Sequence, residues 1–144
     1  MDRSIKKKTI GIIGLGYVGL PLAIEFGKKF STIGYDNNNH RIKNLKNGND
    51  SNNEFSKKSI KESTCLIFTN KQSDLNNIDI FIITVPTPIT KSKLPNLRSI
   101  NSATKLVGKY VKKGSIVIYE STVFPGLTEN HAVPIIEKIS NLKL

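Results

Sequence analysis

The sequence predicts an α/β fold, a doubly wound parallel sheet with helices on both faces. Three observations predict it. Short apolar runs of strand length alternate with helix-patterned segments about five times along the chain. A glycine turn, Gly14-x-Gly16-x-x-Gly19, joins the first run directly to the first helical pattern. The fourth run, Ile80 to Val85, is almost wholly apolar, as a strand covered on both faces must be. Right-handed crossovers then give the strand order 3-2-1-4-5, with room for a sixth strand that the chain does not contain.

The elements follow in order. Thr9–Ile13 reads as the first strand, Val18–Phe30 as a helix and Thr32–Tyr35 as the second strand, ending at Asp36. A polar helix is expected from about Asn38 to Asn47, with Ile42 and Leu45 toward the sheet and Gly48 as its stop. After a polar loop, Ser56–Ser63 reads as a short helix and Leu66–Thr69 as the third strand. The fourth strand breaks at Pro86-Thr87-Pro88, and Ile89 to Leu97 is a polar loop containing Pro95. A helix over Arg98–Tyr110 puts Ile100, Ala103, Leu106 and Val107 on one side. Lys113-Gly114 turns the chain into the fifth strand, Ser115–Tyr119, and a last helix runs from about Thr128 to Ile139.

The stretch that carries chemistry is the first turn of this Rossmann-type arrangement. Gly14 permits the tight exit from the strand, Gly16 lets a pyrophosphate approach the backbone, and Gly19 lets the helix lie close to the sheet. The helix start offers free N–H groups and partial positive charge to phosphates. Asp36, at the end of the second strand, is placed to accept hydrogen bonds from an adenosine ribose diol. Strand, glycine turn, helix, strand and acid together form the context that the dinucleotide fingerprint requires. Ligands of such sheets bind beyond the carboxyl ends of the strands. That rule adds Arg41, then Pro86, Thr87 and Pro88, then Glu120, Ser121 and Thr122. Thr87, stiffened by two prolines, is either a contact to the nicotinamide half or a plain strand-ending turn, and Ser121 and Thr122 face the same choice. Arg41 is either a partner of the adenosine end or a solvated helix residue. Asp36 favours NAD over NADP, because a carboxylate repels a 2′-phosphate; Arg41 and Lys43 would soften that repulsion.

Composition narrows the function classes. At 144 residues this is one domain, and its formal net charge is +11. Nineteen of the 22 basic residues are lysines scattered over helix faces and turns, with only Arg3, Arg41 and Arg98 as arginines. No aromatic-interleaved basic stripe accompanies them, so nucleic acid is not expected as a partner. The single cysteine, Cys65, cannot form an internal disulfide and, beside Leu66-Ile67-Phe68, reads as a small buried hydrophobe. The basic segment Met1 to Lys8 precedes an apolar run too short and too interrupted for a signal peptide. No stretch has membrane-spanning length, and the expected compartment is the cytoplasm. His40 and His131 read as surface residues, and no metal constellation is expected.

Four segments carry a more specific resemblance: Ile13–Ala23, Gly34-Tyr35-Asp36, Val85-Pro86-Thr87-Pro88 and Glu120-Ser121-Thr122-Val123-Phe124-Pro125-Gly126. In order and approximate spacing the chain resembles the N-terminal, NAD-binding domain of UDP-glucose/GDP-mannose dehydrogenases, most of all the bacterial branch acting on UDP-N-acetylhexosamines for surface polysaccharides. The resemblance implies a four-electron oxidation of a sugar C6 alcohol through an aldehyde, a cysteine thiohemiacetal and a thioester to the carboxylate, with two NAD reduced. It implies that Tyr17, Val18, Asp36, Arg41, Thr87 and Thr122 line the cofactor site beside Gly14, Gly16 and Gly19, and that Thr122 helps position the water or an oxygen of the reacting carbon. Family members are much longer, with the catalytic cysteine, a central dimerising helix and a UDP-binding domain beyond position 144. Cys65 stands at the wrong place for the nucleophile. The expectation is a cofactor-binding domain that does not turn over a nucleotide sugar alone and forms homo-oligomers only in the full-length enzyme. Two alternatives remain open: the front half of a hydroxyacid or hydroxyacyl-CoA dehydrogenase, and a stand-alone nucleotide-sensing module without catalysis.

Overall fold

A computed structural model of the chain describes residues 8–88 and 95–143. The expected loop residues Ile89 to Leu94 and the basic segment before Lys8 lie outside the described residues. Five strands form one wholly parallel sheet in the order β3-β2-β1-β4-β5, where β1 is Ile10–Ile13, β2 Thr32–Tyr35, β3 Leu66–Thr69, β4 Ile80–Ile83 and β5 Ile116–Tyr119. The order is the one the alternation and the crossover rule predict. Registers are even across the centre: Ile10 lies beside both Thr32 and Ile80, and Ile13 beside both Tyr35 and Ile83.

The helices are α1 (Gly19–Gly27), α2 (Asn39–Lys46), α3 (Lys57–Glu62), α4 (Arg98–Tyr110) and α5 (Val133–Ser140). Two apolar layers sandwich the sheet. On one face Ile10, Ile12 and Ile82 pack with Leu20, Ala23 and Ile24 of α1 and with Ile42 and Leu45 of α2, the two α2 residues expected to face inward. On the other, Ile13, Phe81 and Ile83 pack with Ala103, Leu106 and Val107 of α4. Local signals start and stop the helices as read. Asn38 Oδ1 accepts from the N–H groups of His40 and Arg41, capping α2, and Ser56 Oγ accepts from Ser59 N–H, capping α3. Gly48 ends the α2 segment at φ +77°.

Several expectations need correction. Helix α1 is shorter than the 18–30 pattern, because the chain already turns at 28–30 toward β2. Strand β4 pairs only to Ile83: Thr84 N–H still donates to Ile13 C=O at 3.0 Å, but β1 turns away at Gly14, with φ +99°. The last helix is not uniform: Thr128–Ala132 winds as a π-turn before α5 begins, and Pro134, which has no N–H, sits at the junction. Cys65 is exposed rather than buried. It precedes β3, an edge strand on which Ile67 is itself 59% exposed, so an apolar neighbour there does not mean a covered one. His40 is exposed as expected, but His131 is half-buried, with Nε2 2.7 Å from Asn101 Oδ1 on α4.

Candidate cofactor site

The carboxyl ends of β1, β2 and β4 open onto a cleft of about 720 Å³, within the range of small-molecule sites. Its floor is the glycine loop. Gly14 takes φ +99°, a conformation that side chains disfavour, and its N–H donates to Tyr35 C=O at 2.8 Å. Leu15 is fully buried against Gly34 and pins the loop to the sheet. Leu20 N–H closes on Gly16 C=O at 3.1 Å, so the amides just ahead of it are those a helix leaves without an intrahelical acceptor.

The second and third glycines meet opposite surroundings. A Cβ on Gly19 would lie 1.8 Å from Gly14 O and 2.4 Å from Thr84 Oγ1, so only glycine lets α1 pack against the turn. A Cβ on Gly16 would meet no atom of the described residues within 4 Å, its chain neighbours aside. Close protein packing therefore requires the third glycine, whereas the second faces the cleft. Thr84, buried at the end of β4, donates its hydroxyl to Gly14 C=O at 2.7 Å and sits 3.1 Å from Ile13 C=O, tying the loop down from beneath.

Asp36 stands at the rim. Its Oδ2 accepts from Leu15 N–H at 2.9 Å and its Oδ1 from Asn38 N–H at 2.8 Å. The carboxylate is thereby fixed in orientation and half-buried, with lone pairs remaining on both oxygens. Arg41 is not the solvated helix residue that one reading allowed. It is 8% exposed, its Nε donates to Leu15 C=O at 3.0 Å, and its Nη1 donates to Asp50 Oδ1 at 2.7 Å and Ser51 Oγ at 2.8 Å. Its Nη2 is buried without a hydrogen-bond partner among the described residues. Burial pushes the Asp50 carboxyl up, but the Asn52 N–H, the Arg41 guanidinium and the Glu54 N–H outweigh it and hold it below the usual carboxylate range.

The sequence-predicted residues thus divide into three groups. Gly14, Gly16, Asp36 and Arg41 line the cleft together. Gly19 lies behind the loop, while Tyr17 and Val18, at 69% and 49% exposure, project at the start of α1 outside the lining. Thr87 and Thr122 pair with each other, Thr87 Oγ1 donating to Thr122 C=O at 2.7 Å, and stand beyond the lining as well. Ser121 Oγ donates to Val85 C=O at 2.7 Å, so the ends of β4 and β5 are clipped together by two hydroxyls. The cleft also takes in residues that sequence reasoning missed: Ser51 and Asn52, Gln72 after β3, and Arg98, Ser99 and Ser102 on the first turns of α4. Thr84 had a legible signal, a hydroxyl at the end of an apolar run; Gln72 and Ser102 had none, because only the folded sheet brings them to the crevice. Among the described residues no group of three or more His, Cys, Asp or Glu could hold a metal ion.

A glycine loop, a fixed acid and an orphaned guanidinium nitrogen around one cleft fit a dinucleotide. A family model described as "UDP-glucose/GDP-mannose dehydrogenase family, NAD binding domain" matches residues 8–144. The chain belongs to this family and is its NAD-binding domain. It is 49% identical over 139 residues to a UDP-N-acetyl-D-glucosamine 6-dehydrogenase of Pseudomonas aeruginosa, a match covering 96% of this chain and 33% of that protein. It is 46% identical to the Salmonella typhi protein of the same name, over 96% of this chain and 32% of that one. Among solved structures, the UDP-D-ManNAc dehydrogenase of Pyrococcus horikoshii superposes with a TM-score of 0.89 at 33% identity, covering 94% of this chain and 33% of its own. The chain spans about a third of the length of these relatives. No helix among the described residues is long and apolar enough to cross a membrane.

Proposed function

We propose that this NAD-binding domain serves a nucleotide-sugar 6-dehydrogenase that oxidises the C6 alcohol of a UDP-N-acetylhexosamine, UDP-N-acetylglucosamine or UDP-N-acetylgalactosamine, to the uronic acid. The observation that carries the cofactor half is the pairing of an open face at Gly16 with an oriented Asp36 carboxylate in one cleft. The similarity to UDP-N-acetyl-D-glucosamine 6-dehydrogenases supports the substrate half.

On this reading the bound dinucleotide supplies a hydride acceptor, and the chain's own residues hold it in place. Amides from Gly16 to Gly19, at the start of α1, receive the pyrophosphate oxygens. Asp36 accepts from the adenosine ribose hydroxyls, and Arg41, beside it in the cleft lining, serves the same end. Tyr17 and Val18 cover the pyrophosphate from the exposed helix start, and Thr87 and Thr122, already paired, frame the nicotinamide side. Thr122 is the catalytic candidate, positioning water or an oxygen at the reacting carbon. A carboxylate at position 36 disfavours a 2′-phosphate, so NAD is preferred over NADP.

Two measurements test the two halves. Calorimetric titration of this chain should give saturable NAD binding, with NADP weaker; tighter NADP binding contradicts the role of Asp36. The dehydrogenase carrying this domain should form two NADH per UDP-N-acetylglucosamine or UDP-N-acetylgalactosamine consumed, and a one-to-one ratio would remove the four-electron assignment.

A further inference from the structure

We infer that Asp50 is a positioning residue for the adenosine end of the cofactor, acting through Arg41; the inference rests on the cofactor reading above. The Asp50 side chain has no exposure, and that of Arg41 only 9%. A buried carboxylate with no further task would be costly to keep. This one has several contacts. One oxygen accepts from Arg41 Nη1 at 2.7 Å and from Asn52 N–H at 3.1 Å; the other accepts from Glu54 N–H at 3.0 Å and Phe55 N–H at 3.2 Å. Asp50 is therefore the hub of the 50–55 loop and the anchor of the guanidinium at once.

The geometry of the guanidinium shows what the anchor achieves. Arg41 is a planar fork. With Nε fixed on Leu15 C=O of the glycine loop and Nη1 fixed on Asp50 and Ser51, its plane has no remaining freedom. The nitrogen left over is Nη2, buried and without an acceptor among the described residues. An unmet buried donor on a cationic group is a standing cost, removed when a ligand oxygen reaches it. Arg41, Ser51 and Asn52 all line the cleft, on the side of Asp36. One carboxylate thus sets both the orientation of the guanidinium and the position of the wall beside it. The matching ligand chemistry is an oxygen acceptor on a ribose or phosphate of the adenosine half. On the cofactor reading the nicotinamide half lies toward Thr87 and Thr122, neither of which is a hydrogen-bond partner of Asp50 among the described residues.

The test is ligand dissection by titration of this chain with NAD, ADP-ribose and nicotinamide mononucleotide. Asp50→Asn should weaken NAD and ADP-ribose about tenfold and leave nicotinamide mononucleotide unchanged. In an Arg41→Ala background the same substitution should weaken ADP-ribose no further, because the path through the guanidinium is already cut. A purely structural role would lower the melting temperature and leave the dissociation constants, or would weaken all three ligands alike; either result overturns the inference, as does additivity of the two substitutions. Should Asp50→Asn not fold, Asp50→Ser keeps a loop acceptor without the charge. The unaltered chain crystallised with ADP-ribose gives an independent reading: Nη2 should donate to a ligand oxygen with the Arg41–Asp50 pair intact, and a guanidinium swung away from Asp50 contradicts it. A chain that binds no dinucleotide fails the cofactor reading itself, whereas one that binds equally well without the Asp50 carboxylate fails only this inference.

Discussion

Gly16 and Gly19 lie three residues apart in one motif, yet their replacement by alanine should fail in different ways. Gly19→Ala forces a methyl into Gly14 O and Thr84 Oγ1, and backbone cannot yield as a flexible side-chain end can. It should cost at least about 2 kcal/mol of stability, read as a fall in melting temperature. Gly16→Ala meets no protein atom, so its melting temperature should stay within the effect of about 0.5 kcal/mol expected of a surface substitution, while NAD affinity falls roughly tenfold or more. Equal losses of stability in the two variants would show that the second glycine also serves packing. Beneath the loop, Thr84→Val removes the hydroxyl that donates to Gly14 C=O and should cost about 1–2 kcal/mol, measurable by denaturant unfolding. The glycines and Asp36 were legible because their spacing is local. Asp50 was not, since nothing in Gly48-Asn49-Asp50-Ser51 distinguishes a buried ion-pair partner from a solvated turn residue. The same ambiguity left Arg41 with two readings until its surroundings were known.

Strands and helices were the readable layer, and their ends were not. Period and punctuation place all five strands and the Gly48 stop of α2. Tertiary contacts decide where β4 stops and where the π-turn before α5 falls. The basal end of the sheet rests on Asp79, just ahead of β4. It accepts from Thr9 N–H at 2.9 Å and lies 3.7 and 3.6 Å from the ammonium groups of Lys8 and Lys112. The Thr9 hydrogen bond first, and the two lysines after it, hold its carboxyl below the ordinary range against the opposing effect of burial. Asp50 is lowered as well. A carboxyl lowered on folding adds stability that is complete above its unfolded pKa, about 3.9, and is lost as pH falls through the lower folded value. Melting temperature should therefore hold from pH 7 to about 5 and drop below about pH 4. Asp79→Asn should be less stable at neutral pH and show a shallower acid decline; an unchanged acid slope would remove Asp79 from that role.

At the scale of the molecule, the wholly parallel order β3-β2-β1-β4-β5 brings the ends of β1, β2 and β4 to one crevice, and everything assigned to the cofactor follows from that convergence. The fold class and the family were readable because alternation and motif spacing survive without coordinates. Misplaced burial came from the sheet's edges. Ile67 on β3 and Ile116 on β5 are 59% and 54% exposed, so apolar sequence on the outermost strands does not report a covered face as it does on β1 and β4. The central claim is that the glycine loop grips the diphosphate, and Asp36 the ribose, of one adenosine diphosphate unit. A crystal structure of this chain soaked with NAD tests it most directly. The account predicts pyrophosphate oxygens within hydrogen-bonding distance of amides from Gly16 to Gly19, with the adenosine ribose hydroxyls on the Asp36 carboxylate. A dinucleotide bound elsewhere, or one whose ribose leaves Asp36 untouched, would contradict it.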